Sequence, residues 1–310
     1  MDATLAGQRL DQALAALFGD ISRSRLQQWI REGRVRVDGR VLRGRDRVSG
    51  GERVDLDAVL ESQGEVQAQA IPLAVVYEDE HLLVIDKPAD LVVHPAAGNW
   101  EGTLQNALLH ADPGLAVLPR SGIVHRLDKD TSGLLVVART PAAHRRLVEA
   151  LQARAVKREY RALVAGVVVA GGTVEAPIGR HPTARTRMAV TTAGKPAVTH
   201  YRALERFRAH SYLRVNLETG RTHQIRVHLA HVRHPIVGDP VYGGRPQLPP
   251  RPSPALVEAL RGFGRQALHA HRLGLAHPAT GEWLEWESPI PADMVQLLDA
   301  LRADVAAAGA

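Results

Sequence analysis

The stretch Gly122 to Arg139, GIVHRLDKDTSGLLVVAR, holds the side chains best placed for chemistry. A polar run from His125 to Gly133 passes into Leu134, Leu135, Val136 and Val137, an apolar sequence that reads as a buried strand. Polar groups at the mouth of such a strand gain fixed geometry from the packing behind them and access from the loop in front. Asp128 is the candidate actor, as nucleophile or general base. The plainer alternative is a solvated turn of Asp128, Lys129 and Asp130 closed by Gly133. The density of polar groups at one strand mouth argues against it.

Other groups are more ambiguous. Tyr160 shares parity with Ala162 and Val164 on a predicted strand, the pattern of a core tyrosine. Arg221, within Thr219 to Gln224, stands at the start of a predicted helix carrying Ile225 and Leu229, where Thr222 offers a cap. The helix dipole slightly disfavours a cation there, which mildly supports a function for Arg221. His223, His228, His231 and His234 lie close in sequence. Only His228 and His231 have helical i, i+3 spacing, and no carboxylate lies between them. They read as structural or nucleic-acid-facing rather than as metal ligands.

The positioning elements follow from periodicity. Leu10, Ala13, Leu14 and Leu17 predict a first helix ending near Gly19. Ser22 or Ser24 caps a second, with Leu26, Trp29 and Ile30 inward and Gly33 as its stop. Val35, Val37 and the Asp38-Gly39 turn read as a hairpin. Across Ile21 to Arg47, nine arginines, Arg23, Arg25 and Arg34 among them, face three acidic residues. Composition alone leaves this face divided between an RNA-docking surface and a merely soluble one.

Glu61 to Ala70 lacks large apolar periodicity and reads as linking sequence. Beyond it, short strands are expected at Ala74 to Tyr77, Leu82 to Asp86, Glu159 to Val164, His200 to Glu205, Tyr212 to Leu217, Leu268 to Ala276 and Trp283 to Glu287. Helices are expected from Thr103 to His110 and from Thr140-Pro141 through Leu151. This pattern predicts an α+β chain with a mainly antiparallel sheet. The Pro-rich stretch Pro246 to Pro254 reads as a surface loop, and the alanine-rich tail after Asp304 is expected to fray.

The 310 residues allow one large domain or two, and 45% hydrophobic content suffices for a sizeable core. No apolar run approaches the ~20 residues of a membrane helix. Met1 to Arg9 lacks a basic segment followed by an apolar one, so the chain is expected in the cytoplasm. Cysteine is absent, which removes disulfides, thiolate catalysis and cysteine zinc sites. A formal charge of +6 favours a polyanionic partner.

The run His125 to Gly133 resembles the signature of the RluA family of RNA pseudouridine synthases. Ile85 to Pro88 with Leu91 to Pro95, Lys157 to Tyr160, Thr219 to Leu229 and His234 to Gly243 match the same family in order. The resemblance spans about Arg9 to Arg302 and is strongest to the branch acting on large-subunit ribosomal RNA. It implies an S4-like RNA-binding domain over residues 8–65, a linker over 66–72, a catalytic domain with a long, bent mixed sheet over 73–303, and a tail over 304–310.

The resemblance also implies roles. Asp128 is the essential carboxylate, Tyr160 packs against the target base and assists proton removal, and Arg221 is the cation that keeps Asp128 ionised. Arg126 takes the place vacated by the flipped base, with a phosphate contact or an ion pair to Asp130 as alternatives. His125 and Ile225 bind RNA or base, and Arg23, Arg25 and Arg34 dock the S4 domain on phosphate. Aromatics are only 4% of the chain, so phosphate contacts must carry more of the affinity than stacking.

Isomerisation of uridine neither gains nor loses atoms, so no cofactor and no metal is expected. The implied partner is 23S ribosomal RNA, free or in a precursor subunit, with the stem-loop called helix 69 as target. A monomer without membrane or obligate protein partner is expected. Rival readings are a sister synthase acting on other uridines and a non-catalytic assembly factor. A magnesium-dependent phosphotransferase is a further rival, because Asp128-Lys129-Asp130-Thr131 superficially resembles its paired aspartates. In that class the aspartates end a hydrophobic strand, whereas here the strand follows them.

Overall fold

A computed structural model describes residues 2–18, 23–57, 66–96, 99–184 and 187–309, without the side chains of residues 23–25 and 28. The chain divides into two compact units, Met1–Glu65 and Val66–Ala310.

In the first unit, helix α1 (Leu10–Leu17) turns Leu10, Ala13 and Leu14 inward, and α2 (Arg23–Arg31) contributes Leu26, Trp29 and Ile30 to the same core. Strand β1 (Val35–Val37) closes it with Val35 and Val37. Asp38 and Gly39 both have positive φ, 48° and 77°, and Val37 and Arg40 exchange backbone hydrogen bonds across them, as a type I′ turn requires. The partner of β1 is not the segment after this turn, however, but β2 (Val54–Leu56), paired antiparallel with Val35 opposite Leu56. Gly19 and Ser22, expected as helix stop and cap, lie outside the described residues, as do the side chains of Arg23 and Arg25. Arg34 is ion-paired with Glu32 at 3.0 Å.

The second unit is built on a nine-stranded sheet. In chain order its elements begin with β3 (Val75–Glu78), β4 (Leu82–Lys87), α3 (Leu104–Ala111), β5 (Ser132–Ala138), α4 (Pro141–Gln152) and β6 (Lys157–Ala165). They continue with β7 (Gly172–Glu175), β8 (Ile178–Arg180), β9 (Met188–Val190), β10 (Val198–Arg206), β11 (His210–Leu217) and α5 (Gln224–His231). The last are α6 (Pro254–Gly262), β12 (Leu268–Ala276), β13 (Trp283–Glu287) and α7 (Ala292–Gly309). The strand order is β3-β4-β5-β12-β6-β11-β10-β7, with β13 also on β12, while β8 and β9 form a separate ribbon. Among the described residues, the strands of this unit pair antiparallel except β5 with β12. This is the α+β architecture expected.

Alternation sets the two faces of the sheet. Leu83, Ile85, Leu135 and Val137 face the main core with Leu104 and Leu108 of α3, while Leu82, Val84, Leu134, Val136 and Ala138 face Ala143 and Leu147 of α4. Strand β5 is therefore buried on both sides, which its unbroken apolar run anticipates. Thr103 and Asn106 form a capping box on α3, and Thr140 caps α4 ahead of Pro141.

Two expectations need correcting. Residues 66–72, expected as linker, are tied to the second unit: Asn106 Nδ2 donates to Gln67 O, Gln69 N donates to Asn106 O, and Gly102 N donates to Gln69 Oε1. The tail from Asp304 does not fray but continues α7 to Gly309. Its anchor is the Asp304 carboxylate, which accepts from Arg208 Nη1 at 2.9 Å and Ser253 N at 2.7 Å.

Candidate active site

Strands β5 and β12 meet only where Ser132 faces His269 and Gly133 faces Ala270. Gly133 has φ 111°, and a Cβ there would fall 2.3 Å from Ala270 O and 2.6 Å from Ala270 N. Only glycine lets the two halves of the sheet approach this closely. The loop carrying Asp128 thereby lies against β12 and, through it, β6.

That loop is pinned from several directions. Lys87 is fully buried, and its Nζ donates to Pro88 O, Leu91 O and Lys129 O at 2.7, 2.9 and 2.9 Å. Burial pulls its pKa down to about 7, opposed by the charges of Asp130 and Asp128. Three carbonyl acceptors call for the ammonium, since a neutral amine has only two N–H bonds to give, so the geometry favours the charged form. Gln266 Nε2 donates to Thr131 Oγ1 at 3.1 Å, and Arg265 Nη1 donates to Asp130 O at 3.3 Å. Leu127 is buried in the main core. Asp128 thus projects from a loop whose neighbours are fixed.

The cation beside Asp128 is Arg226, not Arg221. Arg226 Nη1 donates to Asp128 Oδ2 at 2.8 Å, while its Nε and Nη2 donate to Asp239 Oδ2 and Oδ1 at 2.7 and 2.9 Å. Asp239 also accepts from Val241 N and Tyr242 N. Burial works against the Arg226 charge, but its bonds to Asp239 and the two carboxylate charges outweigh burial and raise its pKa. Burial likewise opposes the Asp239 charge, and Arg226 prevails to lower that pKa. The guanidinium fills the space between the two carboxylates. Arg221 instead is half-buried and donates Nε to Pro196 O at 3.1 Å.

His223 completes the group. It stands before α5 with φ 56°, a strained conformation for a residue other than glycine, and Thr222 is not the cap. Its Nδ1 bonds to Tyr242 OH at 2.9 Å and its Nε2 lies 4.0 Å from Asp128 Oδ1. Burial lowers its pKa, against the pull of Asp128. His228, by contrast, is structural, its two nitrogens engaged by Thr199 Oγ1 and Ala176 O.

Tyr160 and Ile225 are buried and line a pocket of about 60 Å³ with Asp128, His223 and Arg226. Burial raises the Tyr160 pKa, with Arg158 opposing and Asp128 adding to the rise. A phenol held protonated suits packing against a base and donating to it better than taking a proton. Arg126 is exposed at the rim and makes no ion pair with Asp130 among the described residues. His125 faces a second, larger cavity next door.

Sequence reasoning passed over Arg226, Asp239 and His223 as members of the site. A signal for Arg226 existed: Ile225, Val227 and Leu229 leave its helix without a solvent face, and α5 is buried from Gln224 to Leu229. An arginine in such a helix needs an acidic partner.

Comparison with known proteins identifies the family of the chain. The RNA pseudouridylate synthase family model matches residues 81–231, and the S4 domain model matches residues 8–54. The chain is 62% identical over 300 residues to the ribosomal large subunit pseudouridine synthase D of Pseudomonas aeruginosa, covering 97% of this chain and 94% of that protein. It is 59% identical over 299 residues to the Escherichia coli protein of the same name, covering 96% and 92%. Among solved structures, human RNA Pseudouridylate Synthase Domain Containing 4 aligns with a TM-score of 0.58 and 26% identity, over 74% of this chain and 93% of that one. Human RNA Pseudouridylate Synthase Domain Containing 1 aligns with a TM-score of 0.55 and 28% identity, over 76% and 97%.

Proposed function

Because the chain belongs to the RNA pseudouridine synthase family, with an S4 domain ahead of the catalytic one, we propose that it isomerises uridines of large-subunit ribosomal RNA, in the helix 69 stem-loop. The observation that carries the substrate reading is the 62% identity, over nearly the whole of both chains, to a synthase named for the large ribosomal subunit. An assembly role for the modified subunit follows from the same reading, as do a cytoplasmic site of action and a monomeric enzyme. No helix among the described residues is long and apolar enough to cross a membrane.

In the reaction the bond from ribose C1′ to uracil N1 breaks, the base turns, C1′ joins C5, the C5 proton leaves and N1 takes up a proton, so no atoms are gained or lost. Asp128 supplies the carboxylate, acting on the ribose or the uracil as nucleophile or as base. Arg226 keeps that carboxylate paired and aimed. Tyr160 and Ile225 form the apolar wall against the base, and Arg126 fills the gap left in the RNA by the flipped nucleotide. The S4 unit adds phosphate contacts that raise affinity without changing the chemical step.

Mapping pseudouridines across ribosomal RNA from cells with and without this gene tests the reading. Loss of pseudouridine confined to helix 69 supports it. Loss at other large-subunit uridines, with helix 69 intact, points to the sister-synthase reading.

A further inference from the structure

Beside the Asp128 pocket lies a second cavity of about 520 Å³, and the two share Arg126, Arg158, Gly220 and Arg221 in their walls. Arg158 is the unexplained member. It lies two residues before Tyr160 on β6, on the same face of the strand, and is 8% exposed. Its one hydrogen bond among the described residues is long, Nη2 to Glu218 O at 3.4 Å, and its buried Nε has no partner. No carboxylate oxygen of the described residues pairs with it. The nearby Glu218 carboxylate is taken by Arg154 and His200.

A buried guanidinium without a counter-ion is costly, and proteins rarely keep one unless something else neutralises it. The rest of the cavity supplies donors. His125 Nε2 accepts from Val136 N at 3.1 Å, so its proton sits on Nδ1, which is buried and unpartnered. Burial, helped by the Arg158 charge, holds the His125 pKa down to about 3, so the ring stays a neutral donor. Gly220 leaves room for the guanidinium, since a Cβ there would lie 2.9 Å from Arg158 Nη1. Arg120, Arg126, Arg154 and Arg221 add further cations to the walls. A buried guanidinium without a carboxylate partner among the described residues, in walls with several further arginines next to the catalytic pocket, describes a receptor for an anion.

We propose that this cavity is a phosphate subsite, in which Arg158 neutralises a backbone phosphate of the RNA adjoining the uridine held at Asp128. The inference rests on the proposed RNA substrate and adds which residue fixes the register of the strand. Arg158 is a binding residue here; it touches the phosphate and not the reacting atoms.

The test uses the full-length enzyme and a stem-loop RNA in which single linkages around the target uridine are replaced by neutral methylphosphonates. Wild-type affinity is expected to drop about tenfold or more at one linkage, the scale of a lost charge-assisted bond. Arg158→Gln is expected to bind the unmodified RNA weaker by a similar factor and to be insensitive at that one linkage. Without RNA this variant should melt no lower than wild type, because it removes an uncompensated buried charge. Penalties of Arg158→Gln and the methylphosphonates that multiply at every linkage would overturn the proposal, as would unchanged affinity. If Arg158→Gln does not fold, Arg158→Lys carries the same series, with reduced sensitivity at one linkage as the supporting outcome and full sensitivity as the opposing one. Failure of the wild-type enzyme to isomerise the RNA would instead strike the functional reading itself.

Discussion

Arg226 donates Nη1 to the Asp128 carboxylate at 2.8 Å while its remaining edge is clamped by Asp239. One guanidinium thus ties the loop before β5 to α5 and to the turn at Asp239. Planar, forked donors make this possible, and a lysine offers only a point charge. Arg226→Ala should lower kcat/KM about 100-fold or more and, by stranding Asp239, cost roughly 3–5 kcal/mol of stability. Arg226→Lys should recover little. Arg221→Ala, removing a half-buried cation that does not touch Asp128, should weaken RNA binding while single-turnover rates at saturating enzyme hold. Equal losses of saturated rate in Arg221→Ala and Arg226→Ala would contradict the assignment.

The junction of the two half-sheets is equally testable. Gly133→Ala puts a methyl into the Ala270 backbone and a side chain at φ 111°, so roughly 2–5 kcal/mol of destabilisation is expected. Activity should fall further than stability, because the loop bearing Asp128 is displaced. Thermal melts and kinetics on the same preparation would check this, and a fully active, fully stable Gly133→Ala would show that the contact does not position the loop.

These two relationships also mark what the sequence made legible. Strands Leu268–Ala276 and Trp283–Glu287 could be read residue for residue, and the inward face of helix Leu10–Leu17 could be read from Leu10, Ala13 and Leu14, because alternation and helical spacing are local properties of the side chains. The pairing of Asp128 with Arg226 joins residues far apart in the chain, and no local period reports it. Arg221 was assigned on the resemblance, with only a broken helix-terminus preference beside it, whereas Arg226 lay inside an apolar helix face. The tail after Asp304 misled for a related reason. Its alanines have no apolar stripe, and the contacts that hold Asp304 just before them come from Arg208 and Ser253, far away in sequence.

Acid should destabilise the protein through its buried histidines. Burial holds His210 and His269 down to about 4 and His125 down to about 3, against an ordinary value of 6.5. Below pH 6.5 the unfolded chain takes up protons that the folded chain refuses, so this stability is present above 6.5 and lost as pH falls toward 4 and then 3. Urea midpoints measured from pH 7 to pH 4 should decline. His210→Leu should flatten the decline, since its Nδ1 has no partner to lose. An unchanged slope in this variant would contradict burial as the cause.

The central claim is that the Asp128 carboxylate performs the isomerisation, and Asp128→Asn tests it most directly because shape is kept while charge and nucleophilicity are removed. The measurement is release of the uracil C5 hydrogen as tritium from a helix 69 stem-loop under single-turnover conditions, with RNA affinity measured alongside. The account predicts no detectable release at near-normal affinity and an unchanged melting curve. Substantial turnover by Asp128→Asn would contradict it.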